Sequence, residues 1–419
     1  MHSPRDTSQN ARLRNAATQS TMPGRVELIA LMAMLAATIA FSIDAMLPAL
    51  PAMAAELSPQ VPNQVQLVVT IFVLGMGLGT LFTGPLSDTF GRRPVVLAGC
   101  ALYIVSAGLA AQADSLGLLL AARLFQGLGA SGPRVVAMAI IRDLFVGRQM
   151  AQIMSFVMIV FTLVPAIAPS VGAGLMAVSG WPAIFWAFVI FASVLSVWLA
   201  LRLPETLPHD ARRPFSTAAL LSATREMLAN PVVRLSIAVQ SLVFGMLFAT
   251  ISSIQPIYES VFDRAESFPI WFGATALLSA SGSVANAMLV MRIGMRRLVS
   301  LMLGIQIIVS GVMLAALVAG LAGNALFAMF FFWQFMAFFQ AGLTIGNLNA
   351  IAMEPMGHIA GMAASIIGFI ATVAAVLLAV PVGLLFNGTA VPLTLGVLIF
   401  AIAGLVLMGA MRRAEAAAD

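Results

Sequence analysis

Long apolar runs alternate with short polar turns along almost the whole chain. A helix that crosses a bilayer needs ~20 mostly apolar residues. A window of that length finds twelve such segments: 27–48, 65–84, 94–112, 117–139, 150–177, 182–202, 232–254, 268–291, 298–319, 325–349, 359–384 and 391–411. A polar stretch at 203–231 divides them six and six. The pattern predicts an all-α polytopic membrane protein with a tail over 1–26, a six-helix half over 27–202, a linker over 203–231, a second half over 232–411 and a tail over 412–419. The polar residues before 26 are expected to be disordered. The first apolar segment is too long for a signal-peptide core and reads as an uncleaved helix. Within the linker, 215–229 is either a short amphipathic helix on the membrane surface or a plain connection.

Composition agrees: 61% of residues are hydrophobic and 9% charged, against roughly a quarter charged in soluble domains. All 21 basic residues are arginine. With a cytoplasmic N-terminus, eighteen of them fall on cytoplasmic segments, Arg264 alone lies opposite, and Arg123 and Arg134 sit inside a span. This bias predicts that both termini are cytoplasmic. The arginines occupy membrane loops and not one basic face, so no nucleic-acid partner is expected. A single cysteine excludes an intramolecular disulfide, and the three histidines have no metal-ligand spacing. A chain without lysine cannot hold a P-loop, and no catalytic constellation or cofactor motif is present. No enzyme activity, metal or cofactor is expected, and any transport by such a chain would be facilitated or draw on an ion gradient.

Three places carry unusual polar residues. The first is Gly84-Pro-Leu-Ser-Asp88-Thr-Phe-Gly91-Arg92-Arg93-Pro94. Gly84 and Gly91 permit a tight turn, and Asp88 can pair with Arg92 or Arg93 or meet the positive end of a neighbouring helix. Gly294-Met295-Arg296-Arg297 echoes this loop after the eighth span, without the aspartate. The second is Arg123, followed by Gln126, Gly127 and Gly129 in the fourth span. A cation at that depth costs at least ~2.5 kcal/mol unless it faces water or a partner. The third is Asp44, at the end of the first span, in Ile43-Asp44-Ala45-Met46-Leu47-Pro48-Ala49-Leu50-Pro51. A carboxyl group in a low-dielectric site beside a guanidinium can take up and release a proton, so Asp44 is the expected acidic partner of Arg123. The fifth span adds Pro165, Pro169 and Gly172, where proline bends the helix.

The first two strings resemble signature motifs of the major facilitator superfamily in its drug:proton antiporter branch. The Asp44 string resembles the Bcr/CflA group of bicyclomycin and chloramphenicol exporters. The fifth span is similar to the exporters' proline–glycine motif, with Ala168 where glycine is usual. The resemblance implies a twelve-helix carrier, a monomer in the bacterial inner membrane, that exports a lipophilic small-molecule drug in exchange for protons. It gives Asp44 and Arg123 the proton coupling and loop 84–94 the gating of the cytoplasmic side. A second carboxylate found deeper in the first helix of some relatives is absent, since Ala36 and Ala37 stand there.

Polar residues inside the second half, namely Gln255, Asn286, Gln334, Gln340 and Asn347, are candidates for the substrate cavity, because amides are costly in lipid. The small-residue pairs Gly75/Gly79 and Gly357/Gly361 are expected where the second and eleventh spans meet across the halves. Two other readings stay open: a proton-coupled carrier of one metabolite, such as a nucleobase, amino acid or sugar, and a non-transporting sensor that kept the fold.

Overall fold

The computed structural model describes residues 23–417, and among them every regular element is a helix. Most of the expected disordered tail, residues 1–22, lies outside the described residues. The first half contains α1 (Arg25–Asp44), continued through a 3-10 turn into α2 (Leu50–Leu57), then α3 (Leu67–Phe90), α4 (Arg92–Ala111), α5 (Leu116–Leu144), α6 (Gly147–Ser179) and α7 (Pro182–Arg202). The linker holds α8 (Thr217–Ala229), and the second half follows with α9 (Pro231–Ser260), α10 (Phe268–Ser279), α11 (Ser281–Ile293), α12 (Met295–Val318), α13 (Gly323–Met353), α14 (Ala360–Leu384) and α15 (Val391–Ala416).

Among the described residues, eleven stretches are long and apolar enough to cross a bilayer. The longest, 323–384, is α13 and α14 joined by a 3-10 turn in which Met356 leaves helical geometry (φ −108°, ψ 21°). It therefore crosses twice, which gives the twelve crossings read from the sequence. The eighth crossing is two short helices, α10 and α11, interrupted at Ala280.

Helix α7 shows how the apolar pattern is used. Ile190, Val194, Val197 and Leu201 are exposed at helical spacing, while Phe185, Phe188, Ala192, Leu195 and Leu199 on the other face are buried. In water the exposed stripe would drive aggregation, but against lipid tails it faces its own kind. The linker helix α8 is packed: Ser216 caps it through Ala219 N (3.1 Å), and Ala223 and Met227 are buried in a cluster with Ile237, Ile366 and Ile367.

Across the halves, α3 packs on α14 and α6 on α10. The glycine pairs do not mediate this as expected. Gly75 and Gly79 face α5 of their own half, at Leu124, Leu128 and Ser131, and nothing lies near Gly357 or Gly361. Spacing of four puts Gly75 and Gly79 on one helix face, and that face meets α5. Gly77, turned away from it, meets Thr372 of α14, where an added Cβ would lie 3.0 Å from the threonine. At the bundle end carrying residues 45–66, Asn63 Nδ2 donates to the carbonyls of Leu384 (3.1 Å) and Phe386 (2.6 Å), and Ser253 Oγ donates to Gln66 Oε1 (3.1 Å). These bonds tie the two halves together at that end.

Candidate functional site

Arg123 is fully buried (0% exposed) in the first half. Its Nε donates to the carbonyl of Val68 (3.0 Å), Nη1 to Gln126 Oε1 (2.7 Å) and Nη2 to the carbonyl of Ser42 (3.1 Å), and Phe72 lies under the guanidinium at 4.2 Å. The residues that follow Arg123 make this possible. Gln126, one turn on, supplies an acceptor on the same helix face. Gly127 lies against the backbone carbonyl of Phe72, so α3 approaches close enough to present Val68 and the ring. Gly129 does the same for α4, where an added Cβ would stand 2.6 Å from Gly99 O and Tyr103 N. Tyr103 thereby reaches Ser42. Because Ser42 Oγ donates to Thr38 O (2.5 Å), the tyrosine hydroxyl is the donor in the 2.5 Å contact with Ser42.

Asp44 is buried (4% exposed) two residues beyond the Ser42 carbonyl that Arg123 holds. The expected direct pair does not form: no ion pair joins Asp44 to Arg123 among the described residues. The α1 backbone is the intermediary, since the guanidinium is spent on carbonyls and an amide. Gly172 of α6 sits directly on the carbonyl of Ala45, next to Asp44, with Pro165 and Pro169 one to two turns earlier in the same helix. Both atoms in that contact are backbone, so neither can rotate away. Gly172→Ala is expected to cost about 1–3 kcal/mol by overpacking, seen as a lower melting temperature of the purified protein.

Loop 84–94 is shorter than the sequence suggests. Helix α3 runs to Phe90 despite Pro85, and Gly91 alone breaks it, at φ +104°. That conformation favours glycine, and a Cβ there would also lie 2.5 Å from Glu205 Oε2. Arg92 is the hub. It bonds Asp88 (2.5 Å) and Ser87 (2.7 Å) from α3 and Asp143 (2.9 Å) at the end of α5. Glu205, just past α7, accepts from the backbone N–H groups of Arg92 (2.9 Å) and Arg93 (3.1 Å), which satisfies the first turn of α4. Arg93 donates to the Ala200 carbonyl in the last turn of α7. Asp88 thus pairs within its own half. The loop's contacts beyond that half are Gly84, set against Ser365 of α14, and the linker, where Arg213 N donates to Asp88 O (3.1 Å) and Thr89 Oγ1 to Arg213 O (2.8 Å).

The echo in the second half is structural. Gly294 again has positive φ (+83°), and Arg296 bonds Glu354 (3.4 Å) and Glu415 (2.5 Å), acids just past α13 and near the end of α15. Asp143 and Glu205 hold the matching places around Arg92. Sequence reasoning missed Glu205 and Glu415; the signal for the former was an acid in Leu203-Pro-Glu205-Thr, immediately after a span.

The five amides proposed for one cavity are divided. Gln255 lines a cavity of about 460 Å³ at the 45–66 end with Asn63, Gln66 and Glu259. Gln334 accepts from the Tyr258 hydroxyl (2.8 Å), while Asn347 donates to Asn286 (2.7 Å) and so ties α13 to α11. Gln340 is buried with neither amide atom partnered. Four of them are buried and Asn286 is half-buried, and a sequence signals such positions equally for helix packing and for a binding site.

Residues 30–379 match the family described as the Major Facilitator Superfamily. The chain belongs to the major facilitator superfamily. It is 30% identical over 349 residues to a Bacillus subtilis protein named uncharacterized MFS-type transporter YdgK, covering 83% of this chain and 86% of that one. It is 29% identical over 334 residues to a Haemophilus influenzae bicyclomycin resistance protein homolog (78% and 81% covered). It is 28% identical over 330 residues to the Shewanella oneidensis multidrug resistance protein MdtL (78% and 81%). Among solved structures, a D-xylose-proton symporter superposes with a TM-score of 0.72 at 14% identity, over 92% of this chain and 97% of that one. The human organic anion transporter MFSD10 does so at 0.64 and 18%, over 92% and 100%. At these identities the structures share the fold. As a superfamily member the protein is a multi-pass membrane transporter of small molecules and not an enzyme.

Proposed function

We propose that this major facilitator protein exports lipophilic drugs, either a broad multidrug range or those of the phenicol or bicyclomycin kind, in exchange for protons by alternating access. It would do so as a monomer in a bacterial inner membrane with both termini cytoplasmic. The observation that carries the reading is Arg123: a guanidinium buried without a carboxylate partner among the described residues, bonded to the backbone of the helix that carries buried Asp44. A buried, unpaired cation adds little to stability, and intramembrane charges mark function. The relatives named for bicyclomycin and multidrug resistance support the drug class.

In the proposed cycle, protonation of Asp44 changes the charge beside the Ala45–Gly172 contact, and α1 and α6 shift relative to each other. Arg123 senses that shift through the Ser42 carbonyl and passes it to α3 through Val68. The Arg92 hub at the far end of α3, with its bonds to Asp143 and the linker, then yields or reforms as that side opens or closes. Cells lacking their own exporters test this. Expression should raise resistance to chloramphenicol or bicyclomycin. Asp44→Asn, or an uncoupler, should return it to the level of cells without the protein. Resistance that survives both would rule out proton coupling through Asp44.

A further inference from the structure

We infer that Arg134 forms an anion-binding site inside the bundle, and that the preferred cargo is an amphiphile bearing a carboxylate or an equivalent anionic group. This rests on the drug-carrier reading above and narrows it. Arg134 lies ten residues before the end of α5, ~15 Å along the axis at 1.5 Å per residue, about half the ~30 Å hydrocarbon thickness. At that depth its side chain is exposed, although protein surrounds it. A side chain placed so faces a water-accessible space within the bundle and not lipid.

Its partners set it apart from the other arginines. Arg123, eleven residues earlier, has an acceptor at each of three nitrogens, Arg92 has two carboxylates and Arg296 has two. Arg134 has one polar contact, from Nη1 to Met76 Sδ at 3.8 Å, and no carboxylate within ion-pair distance among the described residues. A guanidinium offers five donors in a fork that matches a carboxylate, and here most are unspent. The one residue in contact with it suits an apolar body: Met76 is polarisable and adaptable. Asp44 is buried at the last residue of α1, toward the 45–66 end of the bundle and away from mid-depth. A lipophilic cation would therefore meet a like charge at mid-depth with no acid to offset it.

Equilibrium binding to the full-length protein in lipid nanodiscs, without any gradient, tests the site. The probes are nalidixate (an aromatic carboxylate), chloramphenicol (uncharged) and tetraphenylphosphonium (a lipophilic cation). Nalidixate should bind the wild type, and Arg134→Gln should weaken it about ten- to hundredfold, the loss expected for hydrogen bonds to a charged group. Arg134→Lys, which keeps the charge, should restore much of that loss and also controls for folding. Chloramphenicol affinity should change little, and tetraphenylphosphonium should not displace nalidixate from the wild type. Equal nalidixate affinity in wild type and Arg134→Gln would overturn the site, as would tighter binding of the cation than of nalidixate to the wild type. Binding of chloramphenicol alone would overturn the anion site and leave the drug-carrier reading standing. A folded wild type that binds none of the three would overturn both.

Discussion

Replacing Arg123 with methionine should give a folded, membrane-inserted protein that no longer moves drug against its gradient. The guanidinium is wholly buried and has no ion pair with an acid among the described residues. Its desolvation costs several kcal/mol. Three hydrogen bonds, at about 1.5–3 kcal/mol each for a charged donor, and the contact with Phe72, worth about 2 kcal/mol when desolvated, roughly offset that cost. Methionine fills comparable space with an apolar, flexible chain, so the melting temperature should move by only a few degrees. Transport should nevertheless fall to background, because the link from α1 at Ser42 to α3 at Val68 is cut. Melting of the detergent-purified protein and uphill efflux from cells check the two halves of this expectation. A variant that melts normally and still pumps would show Arg123 to be structural.

Arg92→Ala should have the second-largest effect and a different signature. It removes one side chain shared by Asp88, Ser87 and Asp143 and leaves two carboxylates at the α3–α4 turn without their cation. Both acids are partly exposed, so the stability cost stays moderate, and a double-mutant cycle of Arg92 with Asp143 should return a coupling of about 1–2 kcal/mol. Turnover should suffer more than binding, because the hub ties α3, α5 and, through Glu205, the stretch after α7. Glu205→Ala should reproduce part of this loss by stripping the cap from the first turn of α4. Comparing maximal transport rate with half-saturation for both variants decides it. A rise in half-saturation with an unchanged maximal rate would contradict the gating role.

What the sequence discloses follows from what each feature is made of. Apolar runs of membrane length translate directly into helices, because lipid permits little else. The Arg123–Gly129 string is legible because its glycines need specific neighbours, but the neighbours are not: Val68 and Ser42 contribute carbonyls that carry no side-chain signature. The same limit separates Asp44 from Arg123, which look paired by residue type and are linked instead through backbone. Glycine spacing shows that a helix face is small and not which helix it meets, so Gly75 and Gly79, expected against the eleventh span, lie against α5. Burial alone cannot tell a packing amide such as Asn347 from a cavity amide.

Proton movement itself is the most direct test of the central claim. The protein would be reconstituted into liposomes enclosing a pH-sensitive dye, and a chloramphenicol gradient imposed across the membrane with no initial pH difference. Drug flux through the wild type should drive an opposite proton flux. In Asp44→Asn the proton signal should vanish while drug still equilibrates down its gradient. Drug flux through the wild type without a proton signal would contradict antiport.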